Sequence, residues 1–415
     1  MTSVNTSNLR ISADRLWSSL MEMAEIGKTA RGGCNRQALT DEDKQGRDLF
    51  MAWCDAAGCD ISVDTMGNIF ARRSGRDAAL PAVIAGSHLD TQPTGGKFDG
   101  VYGVLAGLEV IRTLNDNKLE TEHPVEAVCW TNEEGARFSP AMLGSGVWSG
   151  EFSLGYGHNR TNKEGQTVLQ ELQRIGYLGP AECRSKPLRA AFEVHIEQGP
   201  ILENAGLQIG VVGGVQAIGW YDLVIEGMPC HAGTTPMEVR RDPVMALYVI
   251  LDKLYQVADD FKPRARITFG DIRTEPGSRN TVPERVTVTV DMRHPERTQV
   301  KYMEQLMREI VRNECGKLRL AGEVREELDS PAISFNDDCI RAVRNAAGAL
   351  GYSNMQMVSG AGHDSVYVSR VAPTSMIFIP CEGGLSHNEA ENARKEDLEA
   401  GCNVLLHAML EMAAQ

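Results

Sequence analysis

Four places in the sequence carry side chains able to hold a cation or move a proton, and each follows a short apolar run. Residues 82–85 (Ala-Val-Ile-Ala) lead into Gly86-Ser87-His88-Leu89-Asp90, and the segment runs on through Thr94-Gly95-Gly96-Lys97-Phe98-Asp99-Gly100. Val125 to Trp130 leads into Thr131-Asn132-Glu133-Glu134-Gly135. Ala191 to Ile196 holds His195 and stops at Glu197-Gln198-Gly199-Pro200, and Ser375 to Pro380 leads into the loop that holds His387. Such runs read as buried strands. Open α/β sheets carry their chemistry outside the carboxyl ends of their strands.

Each place also has a plainer reading. Asp99 stands where an N-cap would stand before the periodic residues Val101, Val104, Leu105, Leu108, Ile111 and Leu114. A Glu-Glu pair is commonly a solvated turn, and a histidine between β-branched residues can be satisfied by a core hydrogen bond. His88 can be an ordinary loop histidine. Four such coincidences on one inferred sheet edge favour chemistry. His88 and Asp90 lie two apart and share a face of extended chain, so His88 can ligate while Asp90 steadies it from behind.

His, Asp and Glu without Cys suit Zn²⁺, Mn²⁺, Co²⁺ or Ni²⁺ in an open site. The set exceeds what one catalytic metal needs. Two metals about 3.5–4 Å apart would use all of it, with a shared carboxylate between them. Asp99 is the natural bridge. One of Glu133 and Glu134 would then ligate, and the other would take a proton.

Positioning these residues requires a large α/β domain. Residues 13–29 and 40–58 read as helices, and residues 60–72 read as two strands around Met66-Gly67-Asn68. A helix is expected at 165–176, others at 336–350 behind Asn336 and at 395–412 with an amphipathic face, and Ser359 to Asp364 opens another. Residues 215–329 change character. Strands at 220–226, 264–271, 285–291 and 317–323 alternate with helices from Asp242-Pro243 and over 297–314. This is a βαββαβ, ferredoxin-like order. The expectation is a catalytic metal-binding domain of residues 1–214 and 330–415 with an inserted domain at 215–329.

With 415 residues the chain can bury a large core, and its net charge of −14 argues against nucleic acid or an anionic membrane as partner. No 18-residue apolar run spans a membrane. Met1 to Asn5 shows no secretory start. The ten cysteines form no C-x-x-C pair, which reads as reduced thiols in a cytoplasmic protein.

Gly-Ser-His-Leu-Asp-Thr (86–91), Gly-Lys-Phe-Asp-Gly (96–100) and Asn-Glu-Glu-Gly-Ala-Arg-Phe (132–138) together resemble the hydantoinase/carbamoylase family of amidases, within the dinuclear aminoacylase/carboxypeptidase clan. His-Ile-Glu-Gln-Gly-Pro (195–200), His-Ala-Gly-Thr-Thr-Pro (231–236), Ser-Gly-Ala-Gly-His-Asp (359–364) and Ser-His-Asn (386–388) extend the resemblance in the family's order along nearly the whole chain. The resemblance implies one metal on His88, Asp99 and His195 and a second on Asp99, Glu134 and His387. It implies Glu133 as general base and Asp90 as the residue orienting His88. It makes the inserted domain a lid and dimerisation domain. His231 would steady the oxyanion from the partner subunit of a homodimer. Its plainer reading is a turn residue before a capping box of Thr235 with Glu238. Asn280 and Arg293 would grip the substrate carboxylate, Gln198 its polar end, and Gly362 would offer backbone groups. A bland reading of Arg293 is a surface charge.

The activity so implied is metal-dependent hydrolysis of the N-carbamoyl C–N bond of an N-carbamoyl amino acid, of the α-L or β-alanine type. The products would be the amino acid, CO₂ and ammonia. Allantoate amidohydrolase is the alternative within the family. An aminoacylase or dipeptidase is the alternative within the clan. A metal-binding homologue without turnover is the reading from another class.

Overall fold

A computed structural model describes residues 8–414. The Met1–Asn5 stretch read for a leader lies outside the described residues. The chain divides into two compact units. One runs to Gly214 and resumes at Ser334, and the other is Val215–Ile333.

The first unit is built on a nine-stranded sheet. Its middle is four adjacent parallel strands, in the order Val125–Trp130, Ala82–His88, Leu188–Ile196 and Thr374–Ile379. Three of them, Ala82–His88, Val125–Trp130 and Thr374–Ile379, are buried at every position. Parallel strands are covered on both faces and so read as continuous apolar runs. They are also the four strands that lead into the His, Asp and Glu residues. In register, His88 pairs with Trp130, and Phe378 with His195. All four therefore end at the same edge.

The helix Val101–Asp116 is buried on nearly every face, as is the last helix, Lys395–Ala413. The expected amphipathic face of the last helix is thus a correction. Its buried polar residues have partners: Asn403 Oδ1 accepts the Ile11 N–H at 2.9 Å, and Asp397 is paired with the exposed Arg394. The first helix also ends earlier than 29. It covers Ala13–Ala24, because Gly27 turns the chain at φ +82° against Asn35. After Asp364 there is only one helical turn, Ser365–Val368.

A buried ion pair ties this unit together beside the site. Arg47 and Asp43 meet at 2.8 Å with both side chains fully buried, and Arg47 also donates to the Gly67 carbonyl at 2.7 Å and to Thr131 Oγ1 at 3.3 Å. Removing one partner strands the other charge in the interior. Arg47→Met is expected to cost about 3–5 kcal/mol, read as an earlier first transition in urea unfolding.

The second unit is a four-stranded antiparallel sheet in the order Ala321–Ser330, Ala217–Glu226, Arg285–His294, Arg266–Glu275. Helices Pro243–Asp260 and Arg297–Lys317 supply Ala246, Ile250, Leu254, Met303 and Met307 to its core. Asp242 caps the first of these, with Pro243 at its first position. The order of elements is βαββαβ. The last strand lies at 321–330, not 317–323, because the preceding helix continues to Lys317. Pro236 precedes a short 3₁₀ turn, Met237–Val239, with no side-chain cap, so Thr235 and Glu238 form no capping box.

Candidate metal centre

Asp99 sits in the loop between strand Ala82–His88 and helix Val101–Asp116. It does not cap the helix: Gly100 occupies that position with φ +66°, and no side chain caps there. A Cβ on Gly100 would lie 2.3 Å from His88 Nε2, so only glycine lets the histidine reach the centre.

The Asp99 carboxylate is buried and two-faced. Its Oδ1 lies 3.2 Å from His195 Nε2 and 3.8 Å from His88 Nε2. Its Oδ2 lies 3.3 Å from His387 Nε2, which is itself 3.3 Å from Glu134 Oε2. Two groups able to hold a cation therefore share one residue: His88, Asp99 and His195 on one side, and Asp99, Glu134 and His387 on the other. The ring orientations suit ligation. His88 Nδ1 bonds the Asp90 carbonyl at 2.8 Å and His195 Nδ1 bonds the Ile196 carbonyl at 2.9 Å. Each Nδ1–H donates away from the centre, which turns Nε2 inward, where that of His195 also meets the Gly100 N–H at 3.1 Å.

Charge balance points the same way. Burial, followed by the negative charges of Asp364, Glu134, Asp90 and Asp99, holds Glu133 well above the usual carboxylate range. Burial and Asp99 push Glu134 up to about 8. Burial, with the neighbouring His195 and His387, brings His88 down to about 4 against the opposite pull of Asp99. Burial opposes charge on Asp99 and on His195. Their mutual hydrogen bond outweighs it, holding Asp99 well below its ordinary value and His195 up at about 9. His387 is raised to about 9, chiefly by its contact with Asp99. So many carboxylates in a dry site are sustained by cations, whether protons or metal ions.

Asp90 does not orient His88 with its side chain, which corrects the role expected of it. The Asp90 carboxylate is 4.0 Å from His88 Nδ1, while its oxygens accept the N–H groups of Glu133 and Glu134 at 3.2 Å each. Its backbone carbonyl holds the ring; its carboxylate holds the glutamate pair. Glu133 Oε2 lies 3.5 Å from His88 Nε2, next to the shared centre.

Gln198 reaches in from the end of the His195 strand. Its Nε2 donates to Asp99 Oδ2 at 2.9 Å and to Ser386 Oγ at 3.1 Å, and its Oε1 is buried without a partner. Asn132, Gln198 and His387 all have positive φ, at 57°, 56° and 53°. Side chains held in this region cost about 1–3 kcal/mol each and cluster at functional sites.

Further residues of the centre escaped the sequence reading. Gln92 grips Glu134 through its N–H at 3.1 Å and Nε2 at 2.8 Å, and Glu391 accepts from the Asp99 loop. Both lie in segments already marked by His88 and His387, but nothing in their own spacing sets them apart. A third set of possible ligands, Glu193, His195 and His363, is buried behind the centre. Its Glu193 already accepts from Ser87 Oγ at 2.8 Å and from Ser365 N and Oγ at 3.1 and 2.7 Å, so it is a hydrogen-bonded support. Gly362 lies in the loop just before, packed against Met142.

The other three residues lie in the second unit. His231 and Asn280 meet at one two-residue antiparallel pairing between distant segments: His231 pairs with Thr281, and Ala232 N–H donates to the Asn280 carbonyl at 2.9 Å. Arg293 is elsewhere, paired in register with Ile218 and ion-paired with Asp291 at 2.7 Å.

Residues 84–411 match the model of peptidase family M20/M25/M40, and full-length amidases of known structure or name align from end to end. The chain belongs to the hydantoinase/carbamoylase amidases of this family. It is similar to an N-carbamoyl-L-amino-acid amidohydrolase of Rhizobium meliloti, 47% identical over 98% of each chain. A second amidohydrolase of that name, from Geobacillus stearothermophilus, is 36% identical over 97% of this chain and 99% of its own length. The crystal structure of a hydantoinase/carbamoylase family amidase from Burkholderia multivorans superposes with a TM-score of 0.94 at 50% identity, covering 98% of this chain and 99% of that one. The family is metal-dependent, and the His/Asp/Glu clusters described above are groups that could hold metal ions. Among the described residues no helix is long and apolar enough to cross a membrane.

Proposed function

We propose that this chain is an N-carbamoyl-L-amino-acid amidohydrolase using two divalent cations, Zn²⁺ or one of Mn²⁺, Co²⁺ and Ni²⁺. The observation that carries the reading is the two-faced environment of Asp99, with His88 and His195 on one oxygen and His387 on the other. That is the arrangement of a carboxylate shared by two ions. The relatives' names point to the ureido substrate. Gln198 Oε1 supports it, because a buried acceptor without a donor suits the terminal NH₂ of a carbamoyl group.

His88, Asp99 and His195 would hold one ion, and Asp99, Glu134 and His387 the other. Bound ions would polarise the ureido carbonyl and acidify the attacking water. Glu133, with its Oε2 3.5 Å from His88 Nε2 and outside both ligand groups, is placed to act as general base. It takes a proton from the water and delivers it to the departing amino-acid nitrogen. The C–N bond between carbamoyl carbon and that nitrogen breaks, and the resulting carbamic acid falls apart to CO₂ and ammonia. Asp90 keeps Glu133 and Glu134 in place through their backbone N–H groups. Gly362 would offer backbone groups from the loop before Ser365.

The second unit would act as lid and dimerisation domain of a homodimer, in the cytoplasm where its free cysteines stay reduced. His231 would stabilise the oxyanion, and Asn280 and Arg293 would bind the substrate carboxylate, for which the arginine fork is shaped. Glu226 pairs with Arg285 and Ile218 with Arg293. At ~3.4 Å per residue, the strand therefore sets Arg293 roughly 25 Å from Arg285, the end from which the chain leads to Asn280 and His231. A small ureido acid cannot reach both ends of one unit, which supports a site completed by two chains. Helix Pro243–Asp260 also exposes Val244, Tyr248 and Tyr255 along one stripe, at 41%, 74% and 55%. Mixed dimers of Glu133→Ala and His231→Ala chains are expected to recover activity that neither parent has. Silence in verified mixed dimers would return His231 to its own chain's site.

The reaction is tested by product release from a panel at fixed metal loading: N-carbamoyl-L-amino acids, N-carbamoyl-β-alanine, allantoate, N-acetyl amino acids and dipeptides. Ammonia from N-carbamoyl-L-amino acids above the rest is the expected result. Ammonia from allantoate alone, or amine from acetyl compounds and dipeptides alone, would displace this reading. Silence throughout would leave a metal-binding protein without turnover.

A further inference from the structure

Asp99 has to keep its two carboxylate oxygens aimed at different partners, yet it sits in a soft place. The loop before it is Thr94-Gly95-Gly96-Lys97-Phe98, and regular helix begins only at Val101. What fixes the loop comes from the far end of the chain. Glu391 is 2% exposed, and its Oε1 accepts the N–H of Phe98 at 2.9 Å and the N–H of Asp99 at 3.1 Å. Its Oε2 lies 3.0 Å from Ser386 Oγ, which also reaches Asp99 Oδ2 at 2.8 Å. One side chain therefore holds the backbone of Asp99, shares a hydroxyl with its carboxylate, and ties the Asp99 loop to the loop that carries His387.

The packing around Glu391 leaves no doubt that the loop is built to receive it. A Cβ on Gly96 would stand 2.0 Å from Glu391 Cδ and 2.1 Å from its Oε1. Any side chain at Gly96 would evict the carboxylate. A further buried acid beside Asp99 is a poor choice for stability alone, because like charges in a dry site repel.

We propose that Glu391 is a positioning residue for the centre: through its acceptor oxygen on the Phe98 and Asp99 N–H groups, it fixes the carboxylate that the two cations share. The inference rests on the reading of Asp99 as that shared ligand. It acts through hydrogen-bond geometry and not through charge, so a glutamine can do the same. The Gln Oε1 keeps both N–H bonds, and its Nε2 donates to Ser386.

The test uses the full chain, stripped and titrated with Zn²⁺, with affinity read by competition against a chromophoric chelator and the melting temperature of the metal-free protein read alongside. Glu391→Ala is expected to weaken Zn²⁺ binding by about 10–100-fold, the usual effect of losing a group that orients a ligand, while the metal-free protein still melts cooperatively. Gly96→Ala is expected to show the same weakening with Glu391 still present, and it carries the test if Glu391→Ala does not fold. Glu391→Gln is expected to bind within a few-fold of the wild type. Wild-type affinity in Glu391→Ala or in Gly96→Ala would overturn the proposal, as would equal losses in Glu391→Ala and Glu391→Gln. Failure of the wild type itself to bind Zn²⁺ would instead overturn the reading of Asp99.

Discussion

Glu133→Gln is expected to reduce kcat by about 10²–10⁴-fold, the range of a lost proton transfer, with its metal content unchanged. The carboxylate lies beside the centre without belonging to either ligand group: its Oε2 is 3.5 Å from His88 Nε2, whereas Glu134 is the member that shares His387 with Asp99. A glutamine keeps size and hydrogen-bonding capacity and removes only the ability to take and give a proton. The Asp90 carboxylate would still accept the backbone N–H at that position. The change should therefore fall on kcat and leave KM nearly as it was. Metal analysis and steady-state ammonia release check both halves. Loss of metal from Glu133→Gln would make Glu133 a ligand and leave the proton to another group.

Asp99→Ala is expected to remove activity and most of the bound metal together. No other residue is common to both candidate groups. A His88→Ala chain should lose one ion and keep its partner more readily than Asp99→Ala does. The loss is also visible in stability. A cation that binds only the folded chain raises stability by about 2.7 kcal/mol at a hundredfold excess over Kd. The wild type should show that rise on adding metal, and Asp99→Ala should show little of it. Metal content by mass spectrometry and melting with and without metal give the answer. Two ions per chain in Asp99→Ala would show that the clusters do not share this residue.

The parts of the centre legible in the sequence were those announced by a strand. His88, Glu133, Glu134, His195 and His387 each follow or end an apolar run, and those runs proved to be four neighbouring parallel strands. The βαββαβ order of the second unit was most legible at strand Arg285–His294, which alternates between buried and partly exposed residues at every step. Features set by distant contacts were not legible. Glu391 lies 292 residues from Asp99, and no local pattern says that it will accept that residue's N–H. Asp90 is two residues from His88, and spacing alone suggested a carboxylate behind an imidazole. The chain instead uses the Asp90 carbonyl for the ring and turns the carboxylate to Glu133 and Glu134, which no single-strand argument could foresee. Lys395–Ala413 misled because two of its polar residues are buried with partners, Asn403 on the Ile11 N–H and Asp397 under the exposed Arg394.

The most direct test of the account is ammonia release from an N-carbamoyl-L-amino acid by the stripped chain as a divalent metal is added in measured equivalents. The account predicts no turnover without metal and a rise that is complete only at two ions per chain. Full activity in the stripped chain, or activity complete at one ion per chain, would contradict a centre in which Asp99 is shared by two cations.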